Sequence, residues 1–301
     1  MSLPALDTVI GCLLIGTWAS TLLYMFEIYQ SFYYFHHFEQ DDWKLKTLVV
    51  IALLVDTLSI AGDYICVYLY TITHFGDPGY LENIHWPVPL YGFTTGVLAV
   101  LVQVFLVVRY WRFTQNKLIV LSLSFAIIVL LGSVFTCSLM LTLYTSLGDR
   151  PKFKIPAALW LVTEVAVDAG IASALLWEFR KARGLTMTKT RGILDRLTAV
   201  TIQSGAAAAM LAGTALISYY LKQESNVYMG FLYPLGRIYV ITLLSNLNIR
   251  QSGRSFSTIN KSSGRGTTGG VRGPLTPNNW APGDSCGINV HRTVHTSVQV
   301  R

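Results

Sequence analysis

Long apolar stretches alternate along this chain with short connections that hold most of its charged residues. A bilayer core about 30 Å thick needs roughly 20 mostly apolar residues in helical form. Seven stretches meet that length: 8–30, 47–73, 87–108, 118–144, 155–177, 197–221 and 226–248. Trp86-Pro87 precedes the third and Arg109 closes it, while the fourth carries no charge at all. Ile155-Pro156 opens the fifth, placing Pro in a first turn, where a missing N–H breaks no helical hydrogen bond. Pro234 and Arg237 interrupt the seventh. Barrel strands would be about 10 residues of alternating polarity, so the pattern predicts an all-α membrane protein, a seven-transmembrane-helix bundle over residues 1–249. No basic region precedes the first stretch, which therefore reads as an uncleaved anchor.

Composition agrees with this pattern. Only 13% of residues are charged, half the roughly 25% of a soluble domain, and 52% are hydrophobic. A soluble globular enzyme and a disordered chain are both excluded. From 250 to 301 the composition turns to Gly, Ser, Thr, Asn and Arg, which cannot bury enough apolar surface to order itself, so a disordered cytoplasmic tail is expected there. Cys12, Cys66 and Cys137 fall in predicted spans and Cys286 in the tail, so no disulfide is expected. His36-His37 and the pair His291 and His295 lack nearby ligand partners, and no metal or cofactor is expected.

Lys and Arg in the connections give the orientation. The N-terminal side carries 4 of them, Arg150, Lys152, Lys154 and Lys222, and the other side 18. The positive-inside rule then places the N-terminus outside and the C-terminus in the cytoplasm, of a plasma membrane or endomembrane. The sequon Asn260-Lys261-Ser262 falls on the cytoplasmic side and should be unused. The connection after the fifth span holds Arg180, Lys181, Arg183, Lys189 and Arg191. Beyond the bilayer itself, this loop and the basic tail are candidate contacts for a cytoplasmic protein or anionic lipid. The alternative for the tail is a solvated segment that merely obeys orientation statistics. Nothing points to nucleic acid.

An ionisable side chain in hydrocarbon costs at least about 2.5 kcal/mol and so marks a functional candidate. Asp56 and Asp63 lie seven apart on the second span, on one face and about 10 Å apart along the axis. Glu164 and Asp168 lie four apart on the fifth, and Arg237 sits three residues after Pro234 on the seventh. Asp56, Glu164, Asp168 and Arg237 fall at mid-depth and are expected to meet in one polar pocket. Four carboxylates against one guanidinium leave a formal −3, which low dielectric does not sustain. Protons, a cation, a protonated amine or trapped water must compensate. One reading is a proton- or cation-responsive site with Arg237 bridged to Asp56 or Asp168. The other is a packing ion pair, with Asp63 and Glu164 reaching water near the outer end. Gly205, Ala209 and Gly213 form a small-residue stripe expected to admit a close neighbouring helix. Tyr24, Tyr29, Trp43, Trp86 and Trp111 suit interfacial belts, and Asn246 and Asn248 are expected to cap the seventh span.

Several strings together resemble a family of fungal seven-helix membrane proteins of unassigned activity, the domain of unknown function 6534 type. They are Val55-Asp56-Thr57 with Tyr68-x-Tyr70, Leu101-Val102-Gln103 with Arg109-x-Trp111, Asp168-Ala169-Gly170-Ile171-Ala172, Gly236-Arg237-Ile238-Tyr239 and Leu243-Leu244-Ser245-Asn246-Leu247-Asn248. The likeness runs from about residue 10 to 250. Ser59 departs from the pattern, in which a His often follows the Asp-Thr pair. The resemblance implies the seven-helix architecture and a fungal origin, and supplies no substrate.

Function is read as a receptor-like seven-helix sensor, on helix count, orientation and the basic cytoplasmic surface. It departs from G-protein-coupled receptors: Val108-Arg109-Tyr110 stands where Asp-Arg-Tyr is expected, and the seventh span lacks Asn-Pro-x-x-Tyr. That span has no lysine for a retinal Schiff base either. The alternative is a proton- or cation-coupled transporter built on the mid-depth carboxylates, against which no two-fold repeat is visible. A further alternative is an integral-membrane enzyme with Asp56 or Asp168 as general acid, against which no nucleophile, metal or phosphate motif stands.

Overall fold

In a computed structural model, the chain is described over residues 10–81, 83–146, 150–182, 188–221 and 227–263. It is an all-α membrane protein, with seven helices long and apolar enough to cross a bilayer. The crossings are α1 (Cys12–His37), α2 (Trp43–Tyr68), α4 (Pro87–Thr114), α5 (Lys117–Leu143), α6 (Arg150–Ala182), α7 (Thr188–Leu221) and a broken seventh made of α8 (Val227–Leu232) and α9 (Leu235–Ser263). A short α3 (Pro78–Leu81) lies between α2 and α4.

Local chemistry sets several ends. The Asn116 side chain accepts from the Leu118 N–H and caps α5. Gln115, at φ 56°, ends α4 in the left-handed region, its N–H bonded to the Trp111 carbonyl. The last turn of α2 widens at Leu69–Thr73, where His74 N–H reaches back five residues to the Leu69 carbonyl. That widening leaves Tyr70 buried, with its hydroxyl donating to the Asn83 carbonyl.

Several helices outrun the apolar stretches. α1 continues to His37, seven residues beyond the predicted end, because its outer face stays apolar through Phe32. Arg109 lies within α4 and does not end it. Pro156 lies inside α6, which starts at Arg150. Lys189 and Arg191 belong to the first turns of α7, and Arg183 lies outside the described residues. α9 runs on to Ser263, past the boundary predicted at 250, and 264–301 of the expected tail lie outside the described residues.

The helices pack as a closed ring: α1 on α2, α2 on α4, α4 on α5, α5 on α6, α6 on α7, α7 on α8 and α8 back on α1, with α4 also touching α6. Ile15, Leu22, Met25 and Phe32 of α1 and Leu121, Phe125 and Ile128 of α5 are exposed and form the apolar outer surface. The seventh crossing is the most enclosed, 67% buried against 28% for α1 and α5. α9 hydrogen-bonds side chains of α1, α2, α4, α6 and α7: Gln30, Ser59, Arg109, Asp168 and Thr201. It is the hub of the ring.

Small residues permit one tight crossing, at a place other than the predicted stripe. A Cβ on Gly16 of α1 would stand 2.7 Å from the Gly230 Cα on α8, and one on Gly230 would stand 2.8 Å from the Cys12 carbonyl oxygen. Around Gly205 and Gly213 a Cβ would meet nothing within 4 Å. The predicted close approach at that stripe is therefore corrected, since no atom of a neighbouring helix comes within 4 Å of a Cβ at either glycine. At the end where α1 begins, the connections before α4 and after α5 meet through the Asn83–Ser146 bridge and an Ile84 N–H to the Thr145 carbonyl at 2.6 Å. There the Tyr80 ring lies between His74 and His85, each centroid 3.6 Å away.

Candidate functional site

The seventh crossing breaks at Tyr233-Pro234, where proline has no N–H to continue the ladder. Carbonyls released there must find partners, because hydrocarbon supplies none. The Tyr91 hydroxyl of α4 donates to the Leu232 carbonyl, and Ser20 of α1 donates to Tyr233 O at 3.4 Å. Arg237, one turn into α9, adds a second donor to Tyr233 O at 3.4 Å.

The Arg237 guanidinium is fully buried. Its Nε stands 3.5 Å from Asp56 Oδ2, its Nη2 3.2 Å from Asp63 Oδ2, and its Nη1 donates to Ser59 Oγ at 3.1 Å. The three partners recur at spacings of three and four along α2, one helical face turned to one cation. Arg237 thus bridges Asp56 and also Asp63, and not Asp168. Asp63 and Glu164 do not reach water: they are 0% and 1% exposed.

Glu27 of α1 completes this cluster. It is 0% exposed and faces Arg237 and Asp56, its carboxyl within hydrogen-bonding reach of the Asp56 carboxyl. Sequence reading passed over it because the first apolar stretch was ended at 30, which put Glu27 near the surface. The signal was present: Thr17, Ser20, Glu27, Gln30 and Ser31 fall on one side of α1, and all five are buried.

A second cluster holds the other pair. Asp168 of α6 accepts from Tyr239 Oη on α9 at 2.6 Å and from Gln103 Nε2 on α4 at 2.8 Å. Glu164, one turn away, faces Asp168 and lies beside the Tyr239 hydroxyl and the Trp160 ring. The single pocket expected for Asp56, Glu164, Asp168 and Arg237 is therefore two clusters on opposite faces of α9, with Asp63 joining the first. Tyr91 lies within electrostatic reach of both, of Asp63 and Arg237 in the first and of Glu164 in the second. Together five carboxyls surround one guanidinium, a formal excess of four negative charges. Among the described residues, no group of three His, Cys, Asp or Glu is placed to hold a metal ion.

At the end where α1 finishes, Asn246 ties three helices. Its Oδ1 accepts from Arg109 of α4 at 2.5 Å and from Thr201 of α7 at 3.1 Å, while Asn248 donates to the Gln30 carbonyl of α1. Since α9 continues to Ser263, neither asparagine caps it, and the predicted capping role is replaced by interhelical bonding. Arg180 and Lys181 lie exposed in the last turn of α6.

No curated protein and no solved structure matches the chain. Residues 164–252 match the model of a family of unknown function, DUF6534. That stretch runs from Glu164 through α7 and α8 into α9, and holds Asp168, Thr201, Arg237, Tyr239 and Asn246. The chain is thus a multi-pass membrane protein that is similar, from the middle of its fifth crossing through its seventh, to the DUF6534 family model.

Proposed function

We propose that the protein is a receptor-like seven-helix sensor in which protons or small cations, by occupying the Glu27, Asp56, Asp63 and Arg237 cluster, set how the hub helix α9 is seated. The observation that carries this reading is Arg237: the one cation of the cluster sits on the helix that bonds to five others, and three buried carboxyls compete for it. A change in their net charge changes the force on α9 directly, and α9 transmits it through Asn246 to α4 and α7. The distribution of Lys and Arg, 18 against 4, supports an N-terminus outside and a C-terminus in the cytoplasm. Arg180 and Lys181 of α6, with Arg183, Lys189 and Arg191, then supply a basic surface for a cytoplasmic protein or anionic lipid.

The test is hydrogen exchange across residues 227–249 of the purified protein in nanodiscs, compared between acidic and mildly alkaline buffer. The sensor reading expects protection of α9 to change with pH in the wild type and to be locked in Asp56→Asn. Equal protection at both pH values in the wild type sinks it. A proton- or cation-coupled carrier is the second reading, favoured by the position of Tyr91 within electrostatic reach of both clusters. It expects a pH gradient to be dissipated in proteoliposomes, and that flux to vanish in Asp56→Asn.

A further inference from the structure

Asp168 is a buried carboxylate without a protein counterion. Both of its oxygens accept hydrogen bonds, from Tyr239 and Gln103, the arrangement of an ionised acceptor. Among the described residues no Lys, Arg or His forms an ion pair with it, and Arg237 is engaged by Asp56 and Asp63. A charge in that position needs compensation.

Beside Asp168 lies a small cavity of ≈ 20 Å³ between α4, α6, α7 and α9, room for one water molecule or one bare small ion. Its polar lining comes from Gln103, Asp168, Thr201, Ser204, Tyr239 and Thr242. Their hydroxyl protons are already committed. Thr201 donates to Asn246 Oδ1, Ser204 to the Val200 carbonyl, Thr242 to the Ile238 carbonyl and Tyr239 to Asp168. With their protons committed, the Ser204, Thr242 and Tyr239 oxygens serve as acceptors. Gln103 is fully buried, and its Oε1 has no donor although its Nε2 is bonded to Asp168. A water molecule here would donate to two of these acceptors and accept from the second Gln103 N–H, but it would leave the Asp168 charge uncompensated. A cation needs only acceptors.

We infer that this cavity is a binding site for a single dehydrated monovalent cation, Na⁺, held by Asp168, Gln103 Oε1 and the surrounding hydroxyl oxygens. The charge count selects a monovalent ion: one carboxylate lines the cavity, whereas a hard divalent ion such as Ca²⁺ takes six to eight oxygens, commonly several of them carboxylates. The volume excludes an ion with its hydration shell. Glu164, one turn from Asp168, does not line the cavity and contributes no ligand. The inference does not rest on the sensor reading, since a bundle that holds Na⁺ for stability alone satisfies it.

The experiment uses the full-length protein in detergent. Tm is measured in NaCl and in choline chloride at equal ionic strength, and bound radiolabelled Na⁺ is counted at equilibrium. The wild type is expected to bind one Na⁺ and to gain a saturable rise in Tm, because a ligand of the folded state stabilises it by mass action. Asp168→Asn should weaken binding at least roughly tenfold. Gly205→Leu keeps the carboxylate but fills the cavity it lines, where a Cβ meets nothing within 4 Å, and should abolish both signals. That variant decides the matter even if Asp168→Asn does not fold. Asp56→Asn, in the other cluster, should keep both. Equal Tm in the two salts with no bound Na⁺ overturns the inference, leaving the cavity to water. So does Na⁺ binding that survives Gly205→Leu, or that is lost in Asp56→Asn and kept in Asp168→Asn.

Discussion

Replacing Arg237 by methionine keeps an unbranched side chain of similar reach and removes the one guanidinium from the core. Four contacts go with it: ion pairs at 3.5 Å to Asp56 and 3.2 Å to Asp63, and hydrogen bonds to Ser59 and the Tyr233 carbonyl. All the groups involved lie out of reach of water, with Asp56 and Asp63 both 0% exposed. Breaking a buried pair by deleting one partner costs about 3–5 kcal/mol, because the surviving charge is uncompensated. Here two carboxyls are stranded, so the upper end of that range is expected. The sharper test is the double-mutant cycle. With Arg237 present, Asp63→Asn removes a partner and destabilises. With Arg237→Met, the same substitution removes a stranded charge and should stabilise, so the effect changes sign and the coupling reaches about 2 kcal/mol or more. Unfolding by SDS titration in mixed micelles, followed by circular dichroism, reads both quantities. An Arg237→Met protein within about 1 kcal/mol of wild type, or an Asp63→Asn effect equal in the two backgrounds, would refute the account of the cluster.

Packing supplies further predictions. Gly230→Ala should cost about 1–3 kcal/mol in the same titration, since its Cβ lands 2.8 Å from a backbone oxygen that cannot rotate away. Gly213→Ala should instead be neutral or stabilise by up to about 1 kcal/mol, as its Cβ meets nothing and the helix gains propensity. Gly96→Ala drives a Cβ into the Val134 side chain and should lower Tm, with Val134→Ala in the same chain restoring part of the loss. Asn246→Leu removes the side-chain oxygen that accepts from both Arg109 and Thr201, and should cost about 1–3 kcal/mol while leaving the Gly230 contact intact.

The seven crossings were legible because bilayer thickness writes its length into the chain, and each apolar stretch has a helix on it. Helix ends were less legible. Hydrocarbon stops at the interface but helices need not, so α6 starts at Arg150 and α9 continues to Ser263. The ionisable residues were found by their cost in hydrocarbon, yet their grouping was not, because depth along a helix says nothing about rotation around it. Asp168 and Arg237 share a level and point to different sides of α9. Glu27 was lost to a boundary seven residues too early. The close crossing was sought where small residues repeat at a spacing of four, at Gly205 and Gly213. It lies where a single Gly16 meets a single Gly230, and such a pair between distant segments leaves no periodic mark on either.

The seating of α9 bears on how the chain is made. A segment entering a bilayer alone must tolerate lipid on every side, and an arginine at its centre costs about 2.5–3.5 kcal/mol in that setting. The crossing that carries Arg237 is 67% buried against its own neighbours. Its stable partner is therefore the preceding six helices, whose Asp56 and Asp63 lack their ion-pair partner until it arrives. Synthesis delivers it last. Two stages of biogenesis are then expected, a set of crossings inserted with Asp56 and Asp63 unmatched and a final helix that brings their counterion, Arg237. A ribosome that stops before residue 227 releases a membrane protein with an open, acidic core, the kind of product that quality control in the membrane is built to recognise.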